Sequence, residues 1–311
     1  MSPRARTPLA AVATVVTIAT ASGCGLGAGP GTSNVTVMVT RDFGAARVGS
    51  AAERRVPGSE TVMRMLERSF RVSTRYGGGF VESIDGLSGN SSRRDWFYYV
   101  NGIQAAVGAA STAVHRGDRI WWDLHDWSET QTIPAVVGSF PEPFVHGVGG
   151  KRLPTTIECG SGVGAACKRV ASVLGAAGVP VATQLIGTGS GTDSLAVVVG
   201  SWGELRGEIV ASLVRHGPSS SGVYARFVGP GDRSLQLLDP RGRVVRTLGA
   251  GAGLIAATSQ GSAEPTWLIT GTDTSGVTAA AQALSTSRLR DHFALAVHGG
   301  ADLPIPLQGA R

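Results

Sequence analysis

The sequence predicts two folded parts: an α+β domain over residues 34–129, and an α/β domain with a largely parallel sheet over residues 155–311. Three observations predict this. One aromatic stretch, Asp95 to Gly102 with its echo Gly117 to Trp127, holds four of the six tryptophans and two of the four tyrosines. Aromatic and β-branched residues fill a half-buried pleated surface well, so both runs read as strands. A single helix-periodic segment precedes them. From Thr155 onward, apolar strands alternate with amphipathic helices, the pattern of a sheet covered on both faces.

The elements can be taken in order. Asn34 to Arg41 alternates Val35, Val37 and Val39 against Thr36, Met38 and Thr40, a strand pattern. A polar loop rich in Gly, Ala and Arg follows. Ser59 is a suitable N-cap for a helix, with Glu60 favourable in its first turn. Val62, Met65, Leu66 and Phe70 then fall on one helical face, which reads as core packing. Gly77-Gly78-Gly79 ends that segment. Phe80 to Ile84 is a short strand, followed by an Asp85-Gly86 turn. Val100-Asn101-Gly102-Ile103 is a strong hairpin signal, because Asn-Gly tolerates the positive φ of a type I′ turn. One helix laid across a mixed sheet is a β-grasp-like layout.

Thr130 to Pro154 carries Pro134, Pro141, Pro143 and Pro154 among several glycines, and reads as a linker over residues 130–154. Beyond it, Thr155–Cys159, Val179–Ile186, Leu195–Val199, Val223–Val228, Leu235–Leu238, Val244–Leu248, Thr266–Thr270 and Phe293–Val297 read as strands. Ala165–Ala177, Glu204–His216 and Ser275–Leu284 read as helices.

The chain's 311 residues suit two domains, and its composition, 42% hydrophobic and 16% charged, is that of a globular protein. The formal net charge of +6 comes from scattered arginines. No dense basic run lies beside the aromatic stretch, so nucleic acid is not an expected partner. The charge would allow weak attraction to anionic envelope polymers or lipid surfaces.

The N-terminus reads as an address. Arg4 and Arg6 precede an apolar run from Leu9 to Ala21, too short to span a bilayer comfortably. Ala21-Ser22-Gly23-Cys24 resembles a bacterial lipobox, with Ala21 where leucine is usual. Residues 1–23 are thus expected to be a removed signal peptide, Cys24 the lipidated residue, and 24–33 a tether. The protein would be exported and held at the outer face of the cell membrane by lipid alone; an ordinary signal peptide with an incidental cysteine is the alternative. Lipidation of Cys24 leaves Cys159 and Cys167 as a pair that an exported compartment allows to form a disulfide. The nine-residue loop would contribute about 2.6 kcal/mol on the chain-entropy model. Two free thiols, or two metal ligands, are the other readings.

Several pieces of the first half carry a resemblance. Gly58-Ser59-Glu60-Thr61-Val62 leading to Leu66, Gly79 to Leu87, Asp95 to Gly102, and Gly117 to Trp122 together resemble the small domain family related to the C-terminal domain of transcobalamin and intrinsic factor. The resemblance covers residues about 34 to 127. It implies a β-grasp-like fold and a corrinoid-like nutrient as ligand. In the vitamin B12 carriers a helical barrel closes the site from the other side, and nothing in this chain resembles that barrel.

Motifs for chemistry are sparse. Gly160-Ser161-Gly162-Val163-Gly164-Ala165 fits G-x-G-x-x-A between a strand and a helix, yet no acidic residue ends the next strand. A cysteine-stapled turn is the simpler reading. Thr270 to Gly276 also joins a strand to a helix and could hold an anion, although Asp273, Thr274 or Ser275 would more simply cap that helix. Ser190 lacks the flanking glycines of a nucleophile elbow. The histidines show no metal-ligand spacing, and no catalytic residues, cofactor or enzyme activity are expected. The site is therefore sought on the aromatic strands. Trp96, Tyr98, Trp121, His125 and Trp127 are expected to line one surface that faces the second half across a groove, with Asn101 left to the hairpin turn. Such a surface would bind a flat or ring-shaped small molecule without transforming it, and a membrane transporter would be a natural partner. A glycan- or protein-binding module without a small-molecule ligand is the alternative.

Overall fold

The computed structural model describes residues 31–90, 92–191 and 193–308. The expected signal segment 1–23, the expected lipidation residue Cys24 and most of the expected tether lie outside the described residues. Among those described, no helix is long and apolar enough to cross a membrane. The architecture is mixed α+β, mostly sheet.

The first half runs β1 (Val35–Arg41), β2 (Ala46–Glu53), α1 (Val62–Ser69), β3 (Val72–Arg75), β4 (Phe80–Ile84), β5 (Leu87–Ser88), β6 (Arg94–Val100), β7 (Ile103–Gln104) and β8 (Arg119–Asp126). Five of these strands form one mixed sheet, ordered β2-β1-β8-β6-β7, with β1 parallel to β8 and the other pairs antiparallel. Strands β3, β4 and β5 form a separate small antiparallel sheet. Two sequence expectations need adjusting. The loop after β1 is in fact strand β2, a half-exposed edge of Ala, Gly and Ser with a weak alternation signal. The helix starts two residues later than Ser59 as N-cap implied. Thr61 is its N-cap, its hydroxyl accepting from the Arg64 N–H at 3.3 Å. The hairpin turn is as expected: Asn101 and Gly102 both have positive φ, at 53° and 77°.

The second half runs β9 (Thr155–Cys159), α2 (Gly164–Ala176), β10 (Val181–Leu185), β11 (Leu195–Ser201), α3 (Ile209–Arg215), α4 (Pro218–Ser221), β12 (Ala225–Val228), β13 (Ser234–Leu238), β14 (Val244–Leu248), β15 (Gly253–Thr258), β16 (Thr266–Gly271), α5 (Thr274–Ala283), α6 (Thr286–Leu289), β17 (Ala294–His298) and β18 (Ala301–Ile305). Its main sheet is ordered β10-β9-β11-β16-β15-β17-β18. The pairings from β10 to β16 are parallel, and those from β16 to β18 are antiparallel. The expected largely parallel sheet is therefore a mixed one. The short connections β15–β16 and β17–β18 leave no room for the crossover that parallel pairing requires. Cys159 and Cys167 form a disulfide that ties the end of β9 to the first turn of α2.

Three apolar cores organise the molecule. In one, α1 lays Val62, Met65 and Leu66 on the face of the five-stranded sheet that carries Val35, Val37, Val39, Ile120 and Trp122. In another, α2 and α5 pack on one face of the seven-stranded sheet. The remaining core lies between the halves, where Phe43, Tyr99 and Trp121 meet Tyr224, Leu254 and Phe293. Residues 130–154 have no long strand or helix, but they are not a solvated tether. Ile133, Val136, Val137, Phe140 and Phe144 are buried in these cores, which is how a proline-rich segment satisfies an apolar sequence.

Candidate functional site

The aromatic strands pair so that Tyr98 lies opposite Trp122, Tyr99 opposite Trp121, and Asp95 opposite His125. Directly opposed residues of an antiparallel pair share a face. Trp96 and Tyr98 therefore share the α1 face with Trp122 and Leu124. Trp121 and His125 share the opposite face with Tyr99 and Asp123. The expected single surface is thus split between two faces of one sheet. Trp127 belongs to neither, since it follows the end of β8, half-buried, with its backbone N–H donating to the Arg93 carbonyl at 2.9 Å. The alternation of each strand was readable, but their mutual register was not. The connection from β7 to β8 spans residues 105–118, too long for turn geometry to fix it.

The face toward the second half is a packed junction. Trp121 and His125 are each 1% exposed there. The Asp123 carboxylate, fully buried, accepts from the Thr40 hydroxyl at 2.5 Å and from the backbone N–H groups of Phe43 at 3.0 Å and Gly44 at 2.9 Å. His125 Nδ1 lies 2.9 Å from the same carboxylate, and the Trp121 indole N–H donates to Thr40 Oγ1 at 2.7 Å. The His125 ring is stacked between Phe43 and Phe97 at centroid distances of 4.6 and 4.5 Å. This arrangement satisfies a buried carboxylate and ties the β1–β2 turn to β8, and the Phe43 and His125 rings then meet Phe293 of the second half edge-on at 5.3 and 5.5 Å. It leaves Trp121 and His125 as structural residues at that place, because neither ring is free to meet a ligand.

The α1 face opens instead. Beside β6 lies a groove of about 440 Å³, walled by Met63, Phe80, Trp96, Tyr98, Val107 and Trp122. Trp96 and Tyr98 thus do come together, in a place different from the one expected. Burial raises the Tyr98 phenol above its ordinary pKa, with the hydrogen bond to Thr112 opposing the shift. The phenol donates to the Val107 carbonyl at 2.5 Å and lies 2.7 Å from Thr112 Oγ1, so it pins the loop that forms one rim. The opposite rim is the β3–β4 hairpin, whose Tyr76-Gly77-Gly78-Gly79-Phe80 tip carries exposed aromatics. Tyr76 is 85% exposed and Phe80 63%, with ring centroids 5.8 Å apart. Val107 is 58% exposed on the facing rim. Large apolar side chains gathered at one opening are uncommon on a surface with no partner. The indole N–H groups of Trp96 and Trp122 are buried with no acceptor among the described residues, as are those of Trp202 and Trp267 in the other cores. Buried donors of this kind ordinarily have one.

Phe80, Met63 and Val107 were missed in the sequence. Phe80 had a signal, since two aromatics flanking three glycines make a tip that cannot bury them. Met63 and Val107 had none, because helix register and a loop bring them in.

The other motifs resolve as local structure. The Gly160 to Ala165 loop is filled by Glu204, whose carboxylate accepts from the Ser161 hydroxyl at 2.5 Å and from Ser201 N and Oγ at 3.1 and 2.8 Å. The loop is thus held by an acidic side chain of the neighbouring β11–α3 connection. Asp273 caps α5 by accepting from the Gly276 N–H at 2.9 Å. Among the described residues, no group of three His, Cys, Asp or Glu side chains is placed to hold a metal ion.

Residues 59–126, which hold α1, the hairpin tip and both aromatic strands, match the family model described as a domain of unknown function, DUF4430. Among solved structures the chain is similar to a candidate metal-binding protein from Ruminococcus gnavus ATCC 29149, at 18% identity over 30% of this chain and 97% of that one, with a TM-score of 0.24. It is also similar to haptocorrin in complex with Cbi, at 18% identity over 31% of this chain and 25% of that one, with a TM-score of 0.26. At these values neither likeness assigns a role to any residue. No curated protein matches the chain.

Proposed function

We propose that the chain is an exported, lipid-anchored envelope protein that captures a small, flat, largely apolar ligand in the groove beside β6 and does not transform it. The observation that carries this reading is the groove itself: exposed Phe80 and Val107 at its rims, with Trp96 and Tyr98 in its wall. Flat rings suit a ring-shaped ligand through dispersion and exclusion of water. The corrinoid class is the favoured ligand, on the resemblance of residues about 34 to 127 to the transcobalamin-related domain. The central parallel pair β1–β8 beneath one helix is consistent with the β-grasp-like layout that resemblance implies. Lipidation at Cys24 would hold the protein at the outer membrane face, beside a transporter that takes the ligand on.

A thermal-shift screen of small molecules tests the reading, since a ligand at 100 times Kd stabilises by about 2.7 kcal/mol. A hit whose effect is lost in Phe80→Ala supports it; no hit that depends on Phe80 rejects it. A second reading, a glycan- or protein-binding module, is favoured by the 85% exposure of Tyr76 at the hairpin tip, outside the groove. It expects Tyr76→Ala to abolish retention on cell-envelope polymer while no small molecule shifts the melting temperature. Intact mass and detergent partitioning of native material test the address, and a soluble mature species starting beyond Cys24 would reject it.

A further inference from the structure

The five-stranded sheet has a second opening, on its other face. Strands β1, β2 and β8 form the floor of a cleft of about 480 Å³, with Met38 and Trp121 among its apolar surface, and Ser139, Arg290 and Asp291 of the later chain close over it. Three guanidinium groups line this cleft, those of Arg47, Arg119 and Arg290, against the one carboxylate of Asp291. Arg47 is neutralised by Asp291 at 2.6 Å. Among the described residues, neither Arg119 nor Arg290 forms an ion pair. Arg119 is nevertheless fixed: its Nη1 donates to the carbonyls of Ser139 at 3.2 Å and Phe140 at 3.0 Å. Two backbone acceptors on one terminal nitrogen hold the guanidinium plane still and leave its other N–H groups for a further acceptor.

A fixed guanidinium has already lost the rotamer freedom that binding would otherwise remove. Its fork matches a carboxylate or phosphate edge, and a cleft walled by protein focuses the field of the two unpaired charges. From this geometry we infer that the cleft binds a small organic oxyanion: a carboxylate or phosphate group held by Arg119 and Arg290, carried on an apolar or aromatic body that lies along Met38. This site is on the opposite face of the sheet from the groove beside β6 and does not depend on it.

The test is calorimetric titration of the folded chain with phenyl phosphate, benzoate, inorganic phosphate and phenol. Phenyl phosphate and benzoate should each saturate one site, inorganic phosphate should bind more weakly than phenyl phosphate, and phenol should not saturate. Arg290→Ala, at an exposed residue whose side chain makes no hydrogen bond among the described residues, should weaken phenyl phosphate by about tenfold or more, as loss of a charge-assisted contact implies. Arg119→Lys keeps the charge but not the fork, and should weaken it as well. Arg169→Ala, at an exposed position of α2, removes one charge elsewhere and should change nothing. Phe80→Ala should also leave the affinity unchanged, which separates this site from the groove. The inference is overturned if phenyl phosphate shows no saturable binding by about 10 mM, in the range of negligible affinity. It is also overturned if Arg290→Ala and Arg119→Lys both bind as the wild type does. Equal affinity for inorganic and phenyl phosphate would reject the apolar part of the assignment.

Discussion

Asp123 shows how one side chain can decide the geometry of a junction. Its carboxylate is fully buried and gathers Thr40, two backbone N–H groups and His125. Removing one partner of a buried, hydrogen-bonded charge leaves the others unsatisfied, so Asp123→Ala should lower stability by about 3–5 kcal/mol. Urea unfolding measures this, and a loss below about 1 kcal/mol would mean that solvent replaces the network. Trp121, on the same face and 1% exposed, should behave as core. Trp121→Ala is expected to destabilise by about 3–5 kcal/mol, while ligand binding in the groove survives once the folded fraction is accounted for. Loss of binding with full stability would instead return Trp121 to the ligand site. Residue by residue, the sequence was informative about type and not about face. Strand alternation separates Trp96 from Phe97, but only the register of β6 on β8 says which face joins Trp122 and which joins Trp121. The turn residue Asn101 was legible because its φ requirement is local.

Elements with strong local signals were the ones that could be read. Helix α1 has a sharp apolar stripe, strand β9 was placed with its observed bounds, and α5 has an acidic cap. Elements held only by tertiary contacts were not. Strand β2 is a half-exposed edge, and β15, Gly253–Thr258, is a short, fully buried and largely apolar run that periodicity cannot distinguish from a helix segment. The cap of α5 carries a pH dependence. Burial alone would raise the Asp273 pKa, but hydrogen bonds from the Ser275 hydroxyl and the N–H groups of Gly276, Gly251 and Ser275 outweigh it, and the pKa falls below its ordinary 3.8. A carboxylate depressed on folding contributes stability that is present above the unfolded pKa and lost as pH falls through the folded one. Asp273→Ala should therefore lower stability by about 1 kcal/mol at neutral pH. The difference from wild type should shrink as the pH drops below 3.8. Thermal unfolding at several pH values measures this, and a difference that stays constant into acid would show that the cap's charge is irrelevant.

At the scale of the whole molecule, the two halves share a core. Tyr99 and Trp121 of the first half pack with Phe293 and Leu254 of the second, and the 130–154 segment contributes to two of the three cores. A boundary drawn from prolines and glycines cannot reveal this, because composition reports where elements break and not where their side chains go. One cooperative unit should result. Tryptophan fluorescence, which reports on both halves, and far-ultraviolet circular dichroism should give coincident unfolding curves. Two resolved transitions would mean that the shared core is too weak to couple the halves. The same junction buries the aromatic side chains on one face of the five-stranded sheet and so directs the search for an aromatic-walled site to the other, where the β3–β4 hairpin and the 105–109 loop leave the groove open.

The most direct test of that groove is a spectroscopic titration of the folded protein with hydroxocobalamin, carried out in parallel on Phe80→Ala. Phe80 is 63% exposed, so its truncation should leave the circular dichroism spectrum unchanged. The wild type is expected to produce a saturable change in the visible spectrum of the corrinoid, and Phe80→Ala to weaken it by about tenfold, the loss implied by removing one aromatic wall. Saturable binding that is indifferent to Phe80 would contradict the groove as the site. No saturable change with the wild type would contradict the corrinoid as its ligand.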